Sequence, residues 1–138
     1  MGRIVALDVG DATIGVAATD ELGIAAYPVT TIRRTRSIKA DLSTLEVLLA
    51  ELRPEKVIVG IPLGIDNEEG NQALRVKNFT DRLARRLRFP VETWDERFST
   101  QEAEERMIEA GASRARRRKR IHQAAAVIIL EGYLREHG

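Results

Sequence analysis

The chain has 138 residues, which suits one domain and leaves no room for two cores of ordinary size, so we expect a single domain over residues 1–138. An apolar fraction of 43% and a net charge of +1 argue against disorder, and the absence of cysteine excludes disulfides, thiolate metal sites and a thiol nucleophile. No apolar run is long enough to span a membrane, and the amino terminus lacks the sections of a signal peptide, so we expect a cytoplasmic protein without membrane association.

Apolar periodicity predicts a three-stranded meander near the start of the chain. Three short runs rich in β-branched residues, the first of them ended by Gly10 and Asp11, have the pattern of strands. The predicted strands are residues 3–9, Ile14–Thr19 and 24–32. Residues 37–52 then carry leucine and isoleucine at helical spacing, which predicts an amphipathic helix capped by Ser37.

Strands and helices alternate over the rest of the chain. The predicted elements are a strand at Lys56–Ile61, a helix at 72–87, a strand at Val91–Trp94, a helix from Ser99 to Gly111 and a helix at 119–136. The resulting order is βββαβαβαα. It predicts an α/β protein with a mixed five-stranded sheet flanked by helices, as in the RNase H-like fold.

Asp8 is the first candidate for a functional side chain. It stands near the end of an apolar strand, where burial of an unpaired carboxylate costs roughly several kcal/mol. A strand end that opens onto a cleft is a natural position for a metal ligand. The alternative is a carboxylate that only accepts hydrogen bonds from the turn near Gly10.

Asp95 and Glu96 end the fifth predicted strand and form the second acidic candidate. If the first and a later strand lie side by side, their terminal carboxylates come together. Neighbouring strand residues point to opposite faces, so we expect only one of the two to face the site, and we favour Glu96. The other would accept hydrogen bonds from Arg97 or backbone amides, and a solvated turn is the alternative for both.

His122 lies in the predicted first turn of the last helix, on the face that also carries Ala125, Ala126 and Ile129. If that turn rests against the first strand, His122 lies near Asp8. Imidazole can bind manganese or donate a proton, whereas magnesium prefers oxygen ligands. The alternative is a surface histidine beside a basic run.

A basic run precedes this histidine, and Arg97 adds a cation elsewhere in the chain. The run comprises Arg114, Arg116, Arg117, Arg118, Lys119 and Arg120. The planar guanidinium group suits bidentate phosphate contacts, which predicts binding to a nucleic-acid backbone without readout of base sequence. A solvated arginine-rich surface is the alternative.

Together, the acidic and basic candidates predict phosphodiester hydrolysis. Two divalent ions about 4 Å apart can activate water and stabilise the departing oxygen. Holding them takes several ligands from separate parts of the chain. The predicted set is Asp8, Asp95, Glu96 and His122, with Mg²⁺ or Mn²⁺ as the cofactor.

Four segments with matching order and spacing resemble the YqgF family, also called RuvX, over nearly the whole chain. They are Leu7-Asp8-Val9-Gly10 with Ile14-Gly15-Val16-Ala17, Val59-Gly60-Ile61-Pro62-Leu63 with Glu69-Gly70-Asn71-Gln72-Ala73, Asp95-Glu96-Arg97-Phe98-Ser99-Thr100 with Glu102-Ala103, and the final-helix segment from Ala124 to Leu130. The resemblance implies a fold related to RuvC-type Holliday-junction resolvases and an activity that matures the 5′ end of pre-16S ribosomal RNA. It also implies that Asp8 is the first metal-binding acid and that the Asp95-Glu96 pair supplies the second.

Two residues depart from the family pattern. Thr13 stands where an arginine or lysine is usual, which removes one expected phosphate contact. His122 stands where an aspartate is usual. If His122 is a ligand, manganese should support activity better than magnesium.

Other functions stay open at this point. A DNA junction resolvase would act as a two-fold dimer, whereas the RNA-processing enzyme is compatible with a monomer or a homodimer. A third possibility is a non-catalytic RNA-binding assembly factor. The loop at 62–70 suits either a structural turn or a flap over substrate.

Overall fold

The computed structural model of the protein describes residues 2–62, 70–95 and 99–137. The five strands are β1 (Ile4–Val9), β2 (Thr13–Thr19), β3 (Ala26–Arg33), β4 (Lys56–Ile61) and β5 (Val91–Asp95). The four helices are α1 (Ile38–Leu52), α2 (Asn71–Arg86), α3 (Ser99–Glu109) and α4 (Arg114–His137). The predicted order of elements is therefore confirmed, and most bounds agree to within two residues.

The strands form one mixed sheet in the order β3-β2-β1-β4-β5. β1 is central, pairing antiparallel with β2 and parallel with β4. β4 in turn pairs parallel with β5. A later strand does lie beside β1, but it is β4, the most uniformly apolar of the later strands, and not β5, which carries Asp95.

Side chains of β1 alternate between two separate layers of core. Val5, Leu7 and Val9 pack towards α1 and α2, in the larger apolar cluster. Ala6 lies on the other face, in a cluster with apolar residues of α4. Asp8 shares the α4 face because it follows Ala6 by two positions. The alternation thus places the one acidic residue of β1 under α4.

The helix ends follow the sequence in most places and depart from it at α4. Ser37 caps α1 as predicted, since its side chain accepts a hydrogen bond of 3.1 Å from the amide of Ala40. Gly111 follows α3 with φ of +80°. α4 begins at Arg114 and not near 119, so the basic run is helical and His122 lies beyond the first turn. In the described part of the chain, no helix is long and apolar enough to cross a membrane.

Candidate active site

The site is built where α4 crosses the strand pair β1 and β2. Asp8 is directly opposite Gly15 in the antiparallel ladder. A side chain at position 15 would meet the backbone of His122 and Gln123, so the absence of a Cβ there lets α4 lie directly on the sheet. Gly15 therefore decides how close His122 comes to Asp8.

Asp8 and His122 are hydrogen-bonded. His122 Nδ1 lies 2.6 Å from Asp8 Oδ2, the side chain of Asp8 is 8% exposed and that of His122 is 27% exposed. A carboxylate only accepts hydrogen bonds, so Nδ1 carries a proton and donates a hydrogen bond to Asp8 Oδ2. The predicted proximity of these two residues is confirmed.

The charge state of His122 is set mainly by this contact. The hydrogen bond to Asp8 raises the pKa of His122 above its ordinary value, burial opposes the rise, and the charges of Asp8 and Asp11 add to it. A neutral His122 with its proton on Nδ1 offers the lone pair of Nε2, and an imidazolium offers an N–H there. The same ring can therefore serve as a ligand or as a proton donor.

The turn after Asp8 is held by an arginine that sequence analysis did not single out. Arg34 Nη1 donates to the carbonyl of Gly10 at 2.9 Å, and Arg34 Nε lies 3.3 Å from Oδ2 of the buried Asp41. The guanidinium group also lies 4.8 Å from the ring centre of Phe79. Only glycine fits at position 10 in this turn, because a Cβ there would lie 2.7 Å from His122 Nε2. Arg34 thus links the site turn to α1 and α2.

Asp95 lies apart from Asp8 in two respects. It pairs with Ile61, which packs in the α1 and α2 layer, so the two residues share a face opposite to that of Asp8. β4 also separates its strand from β1. Glu96 and Arg97 lie outside the described residues, as does the 63–69 part of the predicted flap.

The side chains of the basic run lie on different faces of α4, one of them towards α3 and most of the others towards an open cavity. Arg117 turns towards α3, where Nη1 donates to the carbonyl of Ala112 at 3.0 Å and Nε lies 4.0 Å from Glu104. Arg116, Arg118, Lys119 and Arg120 line an open cavity of about 990 Å³ beside β2 and β3. Arg114 is exposed at the start of the helix. Four of the six residues of the basic run therefore share one surface.

Two donor atoms at this site remain available to divalent cations, at separate positions, because Nε2 points away from the carboxylate that Nδ1 contacts. Asp8 retains Oδ1 beside the oxygen that accepts from His122, and His122 retains Nε2. A histidine whose other ring nitrogen donates to a carboxylate is a common arrangement in metal sites. Residues 2–62, 70–95 and 99–137 by themselves contain no group of three acidic, histidine or cysteine side chains close enough to hold an ion.

The architecture and the site together define a class of protein. A mixed five-stranded sheet with a carboxylate near the end of its central strand is the arrangement of RNase H-like nucleases. RuvC of Thermus thermophilus, solved in complex with a Holliday junction substrate, has the same fold, with a TM-score of 0.61 and 19% identity over 98% of this chain and 95% of that one. A further RuvC structure from the same organism gives a TM-score of 0.56.

The chain belongs to the RuvX family, whose model, described as a Holliday junction resolvase, matches residues 2–136. A relative from Myxococcus xanthus, named "Putative pre-16S rRNA nuclease", is 47% identical over 98% of this chain and 89% of its own length. A relative of the same name from Symbiobacterium thermophilum is 46% identical over 96% of this chain and 91% of its own length. The predicted family and fold are confirmed.

Several residues that shape the site escaped sequence analysis. Arg34, Asp41 and Arg33 were treated as ordinary charged residues, although the first two hold the turn after Asp8 and the third lines the basic cavity. Two signals were available. Asp41 falls on the leucine face of α1, and Gly15 interrupts a β-branched strand, which often marks a close backbone approach.

Proposed function

We propose that this protein is a divalent-metal-dependent nuclease that hydrolyses phosphodiester bonds during maturation of the 5′ end of pre-16S ribosomal RNA. The observation that carries the proposal is the contact of 2.6 Å between Asp8 and His122 near the end of the central strand. A nearly buried carboxylate is retained there without a cationic Lys or Arg partner among the described residues. The names of the relatives from Myxococcus xanthus and Symbiobacterium thermophilum support the substrate.

Asp8 and His122 have different roles at the site. Asp8 offers Oδ1 to a cation and holds the orientation of the imidazole through Oδ2. His122 presents Nε2 beside Gly10, either as a ligand or as the group that holds a proton near the leaving oxygen. When bound, Mg²⁺ or Mn²⁺ supplies an activated water and charge stabilisation at the scissile phosphate.

A further acidic ligand is needed to complete the site, and we assign it to Glu96. Asp95 shares the face of Ile61, on the side of the sheet away from Asp8. Glu96 is the remaining member of the acidic pair. The single domain predicted over residues 1–138 would then hold all ligands of one site.

Cleavage of a four-way DNA junction is the second candidate function. It is favoured by the family description and by the shared fold with RuvC. Paired incision of a junction requires two active sites related by two-fold symmetry, whereas trimming of an RNA end requires one. A dimer is therefore expected if the substrate is a DNA junction, whereas a monomer suffices if the substrate is an RNA end.

The deciding experiment compares a labelled 5′-extended precursor RNA with a labelled four-way DNA junction at equal concentrations. Each is incubated with Mg²⁺, Mn²⁺ or chelator, and with the native protein and the Asp8→Asn and Asp81→Asn variants. Loss of Asp8 should lower cleavage roughly a hundredfold or more, since metal stabilisation of the transition state is worth several kcal/mol. Asp81 is the matched control, because its carboxylate is exposed on α2, away from the site.

Preferential cleavage of the RNA supports the proposal, and preferential cleavage of the junction by a dimer favours the second candidate. Cleavage that survives Asp8→Asn or chelation would refute the assigned site. Binding of precursor RNA without cleavage in either metal would instead identify a non-catalytic assembly factor.

A further inference from the structure

The cavity beside β2 and β3 has an unusual charge. Its lining includes Arg33 from β3 and Arg116, Lys119 and Arg120 from α4, and no acidic residue among those that the structure describes. Thr13, Thr31 and Gln123 add hydroxyl and amide groups between the cations. This combination of cations with neutral donors is chemistry for an anion with several oxygens.

These cations have no ion-pair partner in the described segments, in contrast to four other arginines of the protein. Arg34, Arg75, Arg86 and Arg106 each lie within 3.5 Å of an Asp or Glu oxygen. The charges of these four arginines are therefore neutralised locally, whereas the charges of the cations that line the cavity are not.

The position of the α4 cations is unfavourable for the helix itself. The first turn of α4 contains no acidic residue, although the amino end of a helix favours negative charge. Arg116 and Arg120 are four residues apart, so like charges face each other on the helix surface. A cationic cluster that opposes helix stability indicates a role in binding.

The cavity borders the candidate active site at Thr13. The carbonyl of Thr13 accepts a hydrogen bond of 2.8 Å from the amide of Gly10, and Thr13 also lines the cavity. Gln123, next to His122 in α4, accepts a hydrogen bond of 2.9 Å from the hydroxyl of Thr31 through its Oε1. Arg33, Thr13 and Asp8 share the face of the sheet that α4 covers.

The geometry points to this cavity as the binding site of a phosphodiester backbone, with Arg33 as a specific phosphate contact on β3, the edge strand that β2 separates from the strand of Asp8. The inference rests on the proposed function and adds the path that the substrate takes. Arg33 and Thr13 are directly paired across β3 and β2, so their Cβ atoms are about 5 Å apart. A cation moved from position 33 to position 13 would therefore still reach the same cavity.

This exchange provides the test. Binding of fluorescein-labelled single-stranded RNA, and of DNA of the same sequence, is measured by anisotropy in chelator, between about 50 and 200 mM KCl. Loss of one phosphate contact in Arg33→Thr should weaken binding about fivefold near 0.1 M salt and reduce the salt slope by about 0.7. The double variant Thr13→Arg/Arg33→Thr should restore both values, and Arg82→Gln, on the exposed side of α2, should change neither.

Lys119→Gln is a second variant on the opposite wall of the cavity, and we expect the same loss as for Arg33→Thr. It keeps the test decisive if Arg33→Thr proves unstable. Equal effects of DNA and RNA would show recognition of the phosphodiester chain, and a larger effect for RNA would add a ribose contact. Unchanged binding in Arg33→Thr or Lys119→Gln, or an equal loss in Arg82→Gln, would overturn the inference.

Failure of the inference is distinguishable from failure of the proposed function. Binding in chelator requires no metal and no cleavage. Normal cleavage with Arg33-independent binding would remove only the path of the substrate. Arg33-dependent binding without cleavage in any metal would remove the nuclease and leave the cavity as a nucleic-acid site.

Discussion

Asp8 and Gly15 stand opposite each other on β1 and β2, and together they bring α4 onto the sheet. Asp8 supplies the carboxylate that His122 binds, and Gly15 supplies the space that the backbone of α4 occupies. The two residues are thus complementary parts of one site, although only Asp8 has a side chain to contribute.

Gly15→Ala should lower the unfolding free energy by about 3 kcal/mol, because the added Cβ overlaps helix backbone that cannot shift alone. The matched control is Gly132→Ala in α4, where the new Cβ would lie 3.6 Å from Trp94 Nε1, an ordinary contact. This control should be stabilised by about 0.5 to 1 kcal/mol through helix propensity. Urea denaturation measures both, and losses of equal size would contradict the close approach of α4 to β2.

His122→Asp should change the metal preference of cleavage. Imidazole suits manganese, whereas a carboxylate suits magnesium, so the ratio of the rates in Mn²⁺ and Mg²⁺ should fall in the variant. His137→Asp, at the far end of α4, should keep the native ratio. An identical metal response of the native chain and His122→Asp would argue against His122 as a ligand.

Asp95→Asn and Glu96→Gln separate the two members of the acidic pair. Asp95 shares a face with Ile61, away from Asp8, so its neutralisation should leave the cleavage rate within a few-fold of native, roughly the scale of a surface change of 0.5 kcal/mol. Glu96→Gln should lower the rate as strongly as Asp8→Asn. Single-turnover cleavage of precursor RNA is the measurement, and the reverse order of effects would reassign the ligand to Asp95.

The Asp8–His122 pair should make stability depend on pH in metal-free buffer. The folded state raises the pKa of His122 above the value of about 6.5 for an unfolded histidine. The pair therefore stabilises the fold fully below that unfolded value, and the contribution is lost as pH rises through the raised folded pKa. NMR titration of the His122 ring, assigned with His137→Gln, measures the shift, and Asp8→Asn should abolish its largest cause.

Asp41→Asn should lower the unfolding free energy by about 2 kcal/mol, since charged hydrogen bonds at a buried carboxylate are worth about 1.5 to 3 kcal/mol each. Asp41 is 2% exposed and accepts from Arg34 Nε as well as from the amide and hydroxyl of Thr35. Glu46→Gln in the same helix removes an exposed ion pair with Arg86 and should cost less than about 0.5 kcal/mol. Thermal denaturation compares them, and equal costs would show that Asp41 does not hold the turn after Asp8.

The sequence by itself determined the order of elements and the cap of α1. These depend on local periodicity: alternation in β1 and leucine spacing in α1 repeat over a few residues and need no distant partner. The four family segments predicted the fold independently of periodicity, because their order and spacing resemble those of a known family. The predicted start of α4, at 119, lies beyond the observed start at Arg114. Arginine is a good helix former, but the run of charged residues shows no apolar periodicity from which a helix could be recognised.

Only the tertiary structure decided which distant residues meet. β4 lies between β1 and β5, and this separates Asp95 from Asp8, because strand order depends on how whole elements pack and not on any local pattern. Three contacts join residues from different elements. Asp8 is hydrogen-bonded to His122, Arg34 donates to the carbonyl of Gly10, and Arg33 lines one cavity together with residues of α4. The contact between Asp8 and His122 depends on the small clearance at Gly15, which no periodicity in the chain encodes.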